Sequence, residues 1–126
     1  MSRRIFALVF IALFAAVLVG GCSDTDEETI NSVIKDFYAA YNAEDWEVCL
    51  GHIDDINHMG ESAIESVLQT ARAATGKVTV DSVEDIEISG SSASAYVRIT
   101  YGDQSETKLY PLLKKGGSWK IAWVWP

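Results

Sequence analysis

The chain has little with which to crosslink or stiffen itself. Two cysteines, Cys22 and Cys49, stand among 126 residues, too few for a disulfide framework. Proline occurs twice, at Pro111 and Pro126, so nothing of that kind interrupts a helix in the first half. Histidine is confined to His52 and His58, which leaves few neutral nitrogen ligands for a metal. Positive charge is also short: ten Lys and Arg against eighteen Asp and Glu give a net charge of −8. A surface this acidic is repelled by phosphate backbones and anionic headgroups, which excludes nucleic acid as an electrostatic partner. The longest apolar run, Ile5 to Val19, has fifteen residues. A bilayer-spanning helix needs roughly 20.

That run is nevertheless informative. It follows Arg3-Arg4 and is followed by Gly20-Gly21-Cys22. Positive charge, a short apolar stretch and small residues at a cut make up a secretory signal. Val19-Gly20-Gly21-Cys22 resembles the bacterial lipobox, in which cleavage falls between Gly21 and Cys22 and the cysteine carries lipid. Residues 1–21 then read as a signal peptide, 22–27 as a lipidated cysteine with a short acidic tether, and 28–126 as one domain. The expected location is the cell envelope, lipid-anchored to a membrane on its extracytoplasmic side. Two acyl chains suffice for a stable anchor, at about 0.8 kcal/mol per buried methylene. Ser2-Arg3-Arg4-Ile5-Phe6 also looks like a twin-arginine export motif, so folded and unfolded export both stay open.

Beyond the leader, Thr25 and Glu28 fit a capping box. Ile30, Val33, Ile34, Phe37 and Tyr41 follow the spacing of one buried helical face. Asp45 is placed to cap a short second helix with Trp46, Cys49, Leu50 and Ile53 on one stripe. Asp54 to Gly60 reads as a polar loop. A third helix is expected over Glu61–Thr75, with Ile64, Val67, Leu68 and Ala71 inward and Gly76 as C-terminal cap. From Lys77 the period becomes two. Val78, Val80, Val83, Ile86 and Ile88 form a first strand with a parity break at Asp81-Ser82 that suggests a bulge. Ala93 to Tyr101 alternates as a second strand. Glu106–Lys114 makes a third, where Pro111 implies a bulge or an open edge. Ser118–Trp125 makes a fourth, with Trp119, Ile121, Trp123 and Trp125 on one face. Three helices followed by a four-stranded meander give an α+β class: N-terminal helices packed on a curved antiparallel sheet.

Phe37-Tyr38-Ala39-Ala40-Tyr41, the break into Glu44-Asp45-Trp46, and the closing Lys115-Gly116-Gly117-Ser118-Trp119-Lys120-Ile121 resemble the nuclear transport factor 2-like superfamily (the cystatin-like cone). Its small bacterial lipoproteins of unknown function are the nearest likeness. The resemblance spans roughly residues 28–125. It implies a sheet curled around the first helix and an apolar pocket at the open end, with Phe37, Tyr38, Tyr41, Trp46, Tyr101, Trp119 and Trp123 as pocket candidates. Tyr96, Asp45 and Asp103 are further polar or aromatic candidates.

Enzymes of that superfamily pair an acid or histidine with a hydrogen-bond donor inside the cone. The inward positions of the second and fourth strands carry Ala, Val, Ile, Tyr and Trp, which argues against catalysis. His52, Asp54, Asp55 and His58 cluster, but the spacing puts no histidine pair on one helical face, so they read as a solvated loop with no metal. Cys49 shares an apolar stripe and reads as an inert buried thiol. No cofactor is implied. Three functions remain open: a binding domain for a small apolar ligand or protein partner, a small-molecule isomerase or hydro-lyase, and an assembly module. The last would form a homodimer through an outward row of Tyr96, Tyr110, Leu112 and Val124.

Overall fold

The computed structural model describes residues 15–123, and side chains from Thr25 onward. Arg3, Arg4, Val124 and Trp125 lie outside the described residues. The elements run α1 (Ala15–Ala43), α2 (Trp46–Gly51), β1 (Ile53–Asp54), α3 (Glu61–Thr75), β2 (Thr79–Ser89), β3 (Ser92–Tyr101), β4 (Gln104–Lys115) and β5 (Ser118–Ala122). The sheet has five strands in the order β1-β5-β4-β3-β2. Neighbours are antiparallel except β1, which pairs parallel with β5 through Ile53–Ile121 and Asp54–Ala122. The expected four-stranded antiparallel sheet is thus a mixed five-stranded one. Ile53 and Asp54, expected on a helical stripe and in a loop, form its edge strand.

From Thr25 onward helix α1 is buried along one side only. Ile30, Val33, Ile34, Phe37, Tyr38, Ala40 and Tyr41 are buried, the stripe expected plus Tyr38 and Ala40. The helix does not begin at Thr25, as the capping box suggested. It is continuous from Ala15, and the Thr25 carbonyl accepts a bond from the Thr29 hydroxyl at 2.9 Å. A cap is needed only where backbone NH groups lose their partners, and here preceding residues already extend the helix. The chain leaves α1 through Glu44, which adopts φ 59°. Asp45 then caps α2, accepting from the Val48 NH at 3.4 Å.

Helix α3 has the expected limits, with Ile64 and Leu68 buried and Gly76 at positive φ as its C-cap. Asn42 ties the end of α1 to the start of β2: its side chain donates to the Val78 carbonyl and accepts from the Val78 NH, both at 2.7 Å. The β2–β3 register slips between Val80 and Ser82, where the parity break was expected, and again between Glu84 and Glu87. Pro111 causes no slip against β3, pairing with Ser94. It lies one residue outside the β4–β5 pairing, which starts at Leu112, so its missing donor costs that ladder nothing.

Ala95, Val97 and Ile99 of β3, Leu112 of β4 and Trp119 and Ile121 of β5 meet the α1 stripe in one core. The expected outward row is wrong in two members. Leu112 is buried, and Tyr110 is half-buried against the core. The outward pair is instead Tyr96 and Leu109, 44% and 54% exposed and opposite each other in register.

Candidate functional site

One end of α1, α3 and the concave side of the sheet enclose a cavity of about 300 Å³. From α1 come Phe37, Tyr38 and Tyr41; from α3 and its exit, Val67, Leu68, Ala71, Thr75 and Val78. The sheet adds Ile99 and Tyr101 from β3 and Glu106, Lys108 and Tyr110 from β4, and Trp123 follows β5. The arrangement follows from two periods. Positions 37, 38 and 41 share a helical face, whereas 106, 108 and 110 share one side of a strand.

Five of the pocket candidates therefore line one space: Phe37, Tyr38, Tyr41, Tyr101 and Trp123. Trp46 and Trp119 do not. Trp46 packs edge-on against Tyr41 with ring centroids 6.1 Å apart. Trp119 belongs to the core, and its Nε1–H donates to Asp26 at 3.1 Å. Asp45 acts as a helix cap. Asp103 is exposed in the β3–β4 turn, and Tyr96 lies on the outer sheet face.

The wall is aromatic and mostly apolar, with a polar arc across it. The Tyr38 and Tyr110 hydroxyls are hydrogen-bonded to each other, and their rings stack at 6.4 Å. The Tyr41 hydroxyl pairs with Thr75 Oγ1 at 2.9 Å. Tyr101 donates to Glu106 Oε2 at 2.5 Å. Burial pushes the Tyr38, Tyr110 and Tyr41 phenols above their usual range. For Tyr101 the upward push comes first from its bond to the Glu106 carboxylate. All four phenols thus stay protonated at neutral pH: Tyr101 gives its proton to Glu106 and Tyr41 gives its own to Thr75 Oγ1, which itself donates to the Gly76 carbonyl, so the second hydroxyl of the Tyr38–Tyr110 pair is the one left to donate into the cavity. Lys108 stands at the exposed rim.

Glu106 and Lys108 are cavity residues that the sequence does not single out, and Tyr110, expected on the outer face, lines the cavity instead. The second and fourth of the strands expected from sequence carry no inward acid, whereas the third, β4, supplies Glu106. The alternation Glu106, Lys108, Tyr110, Leu112 was visible, but its charged members gave no sign of facing the concave side.

The histidine–aspartate cluster is dispersed into structural roles. Asp54, in β1, is ion-paired with Lys115 at 3.0 Å. Asp55 folds the following turn, accepting from the Met59 and Gly60 NH groups at 2.9 and 2.8 Å. Those NH groups, Gly60 first, hold its carboxyl below the usual range. The His52 carbonyl accepts from Ile121 NH at 2.8 Å, joining β1 to β5. Cys49 is fully buried, and desolvation, followed by the nearby Asp45 charge, pushes its thiol up to about 11.

A helix held in the concavity of a curled mixed sheet, with the cavity at one end, has counterparts among solved structures. A Shewanella oneidensis protein of unknown function, named NTF2-like, aligns at TM-score 0.56 and 14% identity, over 76% of this chain and 93% of its own. The chain has the nuclear transport factor 2-like fold. A Campylobacter jejuni protein named as a candidate NTF2-like transpeptidase aligns at TM-score 0.54 and 18% identity, covering 78% of this chain and 97% of that one. A Mycobacterium tuberculosis protein of unknown function aligns at TM-score 0.57 and 15% identity, over 79% and 69%. No family model matches the chain, and no curated protein matches it. The nuclear transport factor 2-like assignment therefore rests on shape, which leaves function to the residues of the cavity.

Proposed function

We propose that this nuclear transport factor 2-like domain is an extracytoplasmic lipoprotein, held by lipid on Cys22, that binds a small, mostly apolar molecule in its cavity. The supporting observation is the cavity itself: about 300 Å³, walled by Phe37, Tyr41, Leu68, Ile99 and Trp123, with a phenol donor set into the wall. That volume is at the small end of the range for ligand sites. A protonated phenol suits a ligand with one hydrogen-bond acceptor, such as a carbonyl or hydroxyl oxygen, on an apolar body.

The test is a thermal-shift screen of the intact protein in detergent against small aromatic and alicyclic ketones and alcohols. A ligand present at 100 times its Kd should stabilise by about 2.7 kcal/mol. Ala71→Trp, which fills the space from α3, should abolish the shift while leaving the domain folded. A panel spanning those chemistries with no shift would refute the reading.

Glu106 supports a second reading, an isomerase or hydro-lyase. A carboxylate on a cavity wall is placed to take a proton from bound substrate. Deuterium exchange next to the carbonyl of a bound ketone, lost in Glu106→Gln, would favour it over simple binding.

A further inference from the structure

The two ends of the domain differ, and the lipid-bearing end is the one away from the cavity. Asp26 lies one helical turn beyond Cys22. Its carboxylate accepts from Trp119 Nε1 at 3.1 Å and from Lys114 Nζ at 3.3 Å, and that ammonium also sits 5.8 Å from the Trp119 ring centroid. Helix α1 is therefore latched at Asp26 to β4 and β5. The latch sits at the end of the sheet that carries two turns, between β2 and β3 (Ser89–Ser92) and between β4 and β5 (Lys115–Ser118). Those turns adjoin: the Lys114 NH donates to the Ser91 carbonyl at 2.8 Å.

The cavity is at the opposite end. Tyr101 and Glu106 flank the β3–β4 turn, and Thr75 and Val78 flank the C-terminus of α3. Along α1, Tyr41 stands nineteen positions after Cys22, which at 1.5 Å per residue is about 28 Å. The helix is unbroken between them, so no hinge lets the cavity fold back toward the lipid.

We infer that the Asp26 latch orients the anchored domain with the Ser89–Ser92 and Lys115–Ser118 turns against the lipid surface and the cavity opening toward the aqueous phase. The ligand then enters from water or from a soluble carrier, not by lateral passage out of the bilayer. This rests on the lipid anchor at Cys22 proposed above. Lys120, two residues past the Lys115–Ser118 turn, is the ammonium group nearest that end that no carboxylate engages among the described ion pairs, and it can meet a headgroup phosphate.

The experiment uses the full lipidated chain in phosphatidylethanolamine–phosphatidylglycerol vesicles doped with a headgroup-nitroxide lipid. A fluorophore is placed on the exposed turns through Ser91→Cys or Ser118→Cys, and at the cavity end through Asp103→Cys. Cys49 is fully buried and does not compete for the label. Nitroxide should quench the labels at 91 and 118 several-fold more than the label at 103. Asp26→Ala should narrow that difference while flotation with the vesicles persists. Equal quenching at the three positions, or stronger quenching at 103, in protein that floats through Cys22 would overturn the orientation and leave the anchor standing. If Cys22→Ser floats as well as the parent, the anchor reading fails and the orientation fails with it.

Discussion

Replacing Trp119 by alanine should be among the most damaging changes available to this domain. The indole is 3% exposed, in a core shared with Ile30, Ile34 and Leu112. Removing a buried tryptophan costs about 3–5 kcal/mol, part lost transfer energy and part cavity. The latch adds to the loss, because Asp26 would keep only Lys114 of its two side-chain donors. Small domains are stable by about 5–15 kcal/mol, so about a fifth or more of the margin should vanish. With a urea slope of about 1–3 kcal/mol per molar, the midpoint should fall by about 1 M or more. Urea melts followed by far-ultraviolet circular dichroism read this directly. Trp119→Phe serves as a control: it keeps most of the apolar volume, loses the Nε1 donor, and should fall between parent and alanine variant. A loss below about 1 kcal/mol, a value typical of surface substitutions, would show that Trp119 is not in the core. Trp123, half-buried at the cavity wall, should cost less on truncation than Trp119, contrary to the equal severity that strand parity alone implies.

Other outcomes follow from the same contacts. Asp26 is held below the ordinary carboxylate value of 3.8 by its bond from Trp119 first and by Lys114 next; a depressed folded-state value means its contribution is present above pH 3.8 and lost as pH falls through the folded value. Asp26→Asn should therefore flatten stability against pH in that acid window, and an unchanged profile would count against the latch. Cys22→Ser should abolish incorporation of radioactive palmitate in cells, and equal labelling of the variant would refute lipidation at that residue. Cys49 should resist thiol reagents at pH 8 in the folded protein and react at once in denaturant, because burial both hides the thiol and pushes it up to about 11; rapid reaction of the native form would contradict its placement.

Much of the architecture was legible in the residues because it is decided locally. The α1 stripe, the limits of α3, the positive-φ cap at Gly76, the slip at Asp81-Ser82 and the β3 alternation each depend on side chains a few positions apart. Backbone geometry converts such spacing into a face or a turn without reference to the rest of the chain. The same holds for the inward set from Phe37 to Tyr41, and hence for one wall of the cavity.

Only the tertiary structure decided the other wall, the sheet edge and the latch. Ile53–Asp54 has two residues, too few for any period to show. It is a strand because β5, whose paired residues Ile121 and Ala122 lie 68 positions later, presents a free edge to it. Strand β4 has apolar residues on both parities, Leu109 and Leu113 on one, Tyr110 and Leu112 on the other, so alternation could not say which side faces the core. The curl of the sheet around α1 turned the row of Glu106, Lys108 and Tyr110 inward and left Leu109 outside. By sequence Asp26 is one more acid in the short tether of residues 22–27. Its partners lie 88 and 93 positions away, and closing loops of that length is a property of the whole fold, not of any local run of residues.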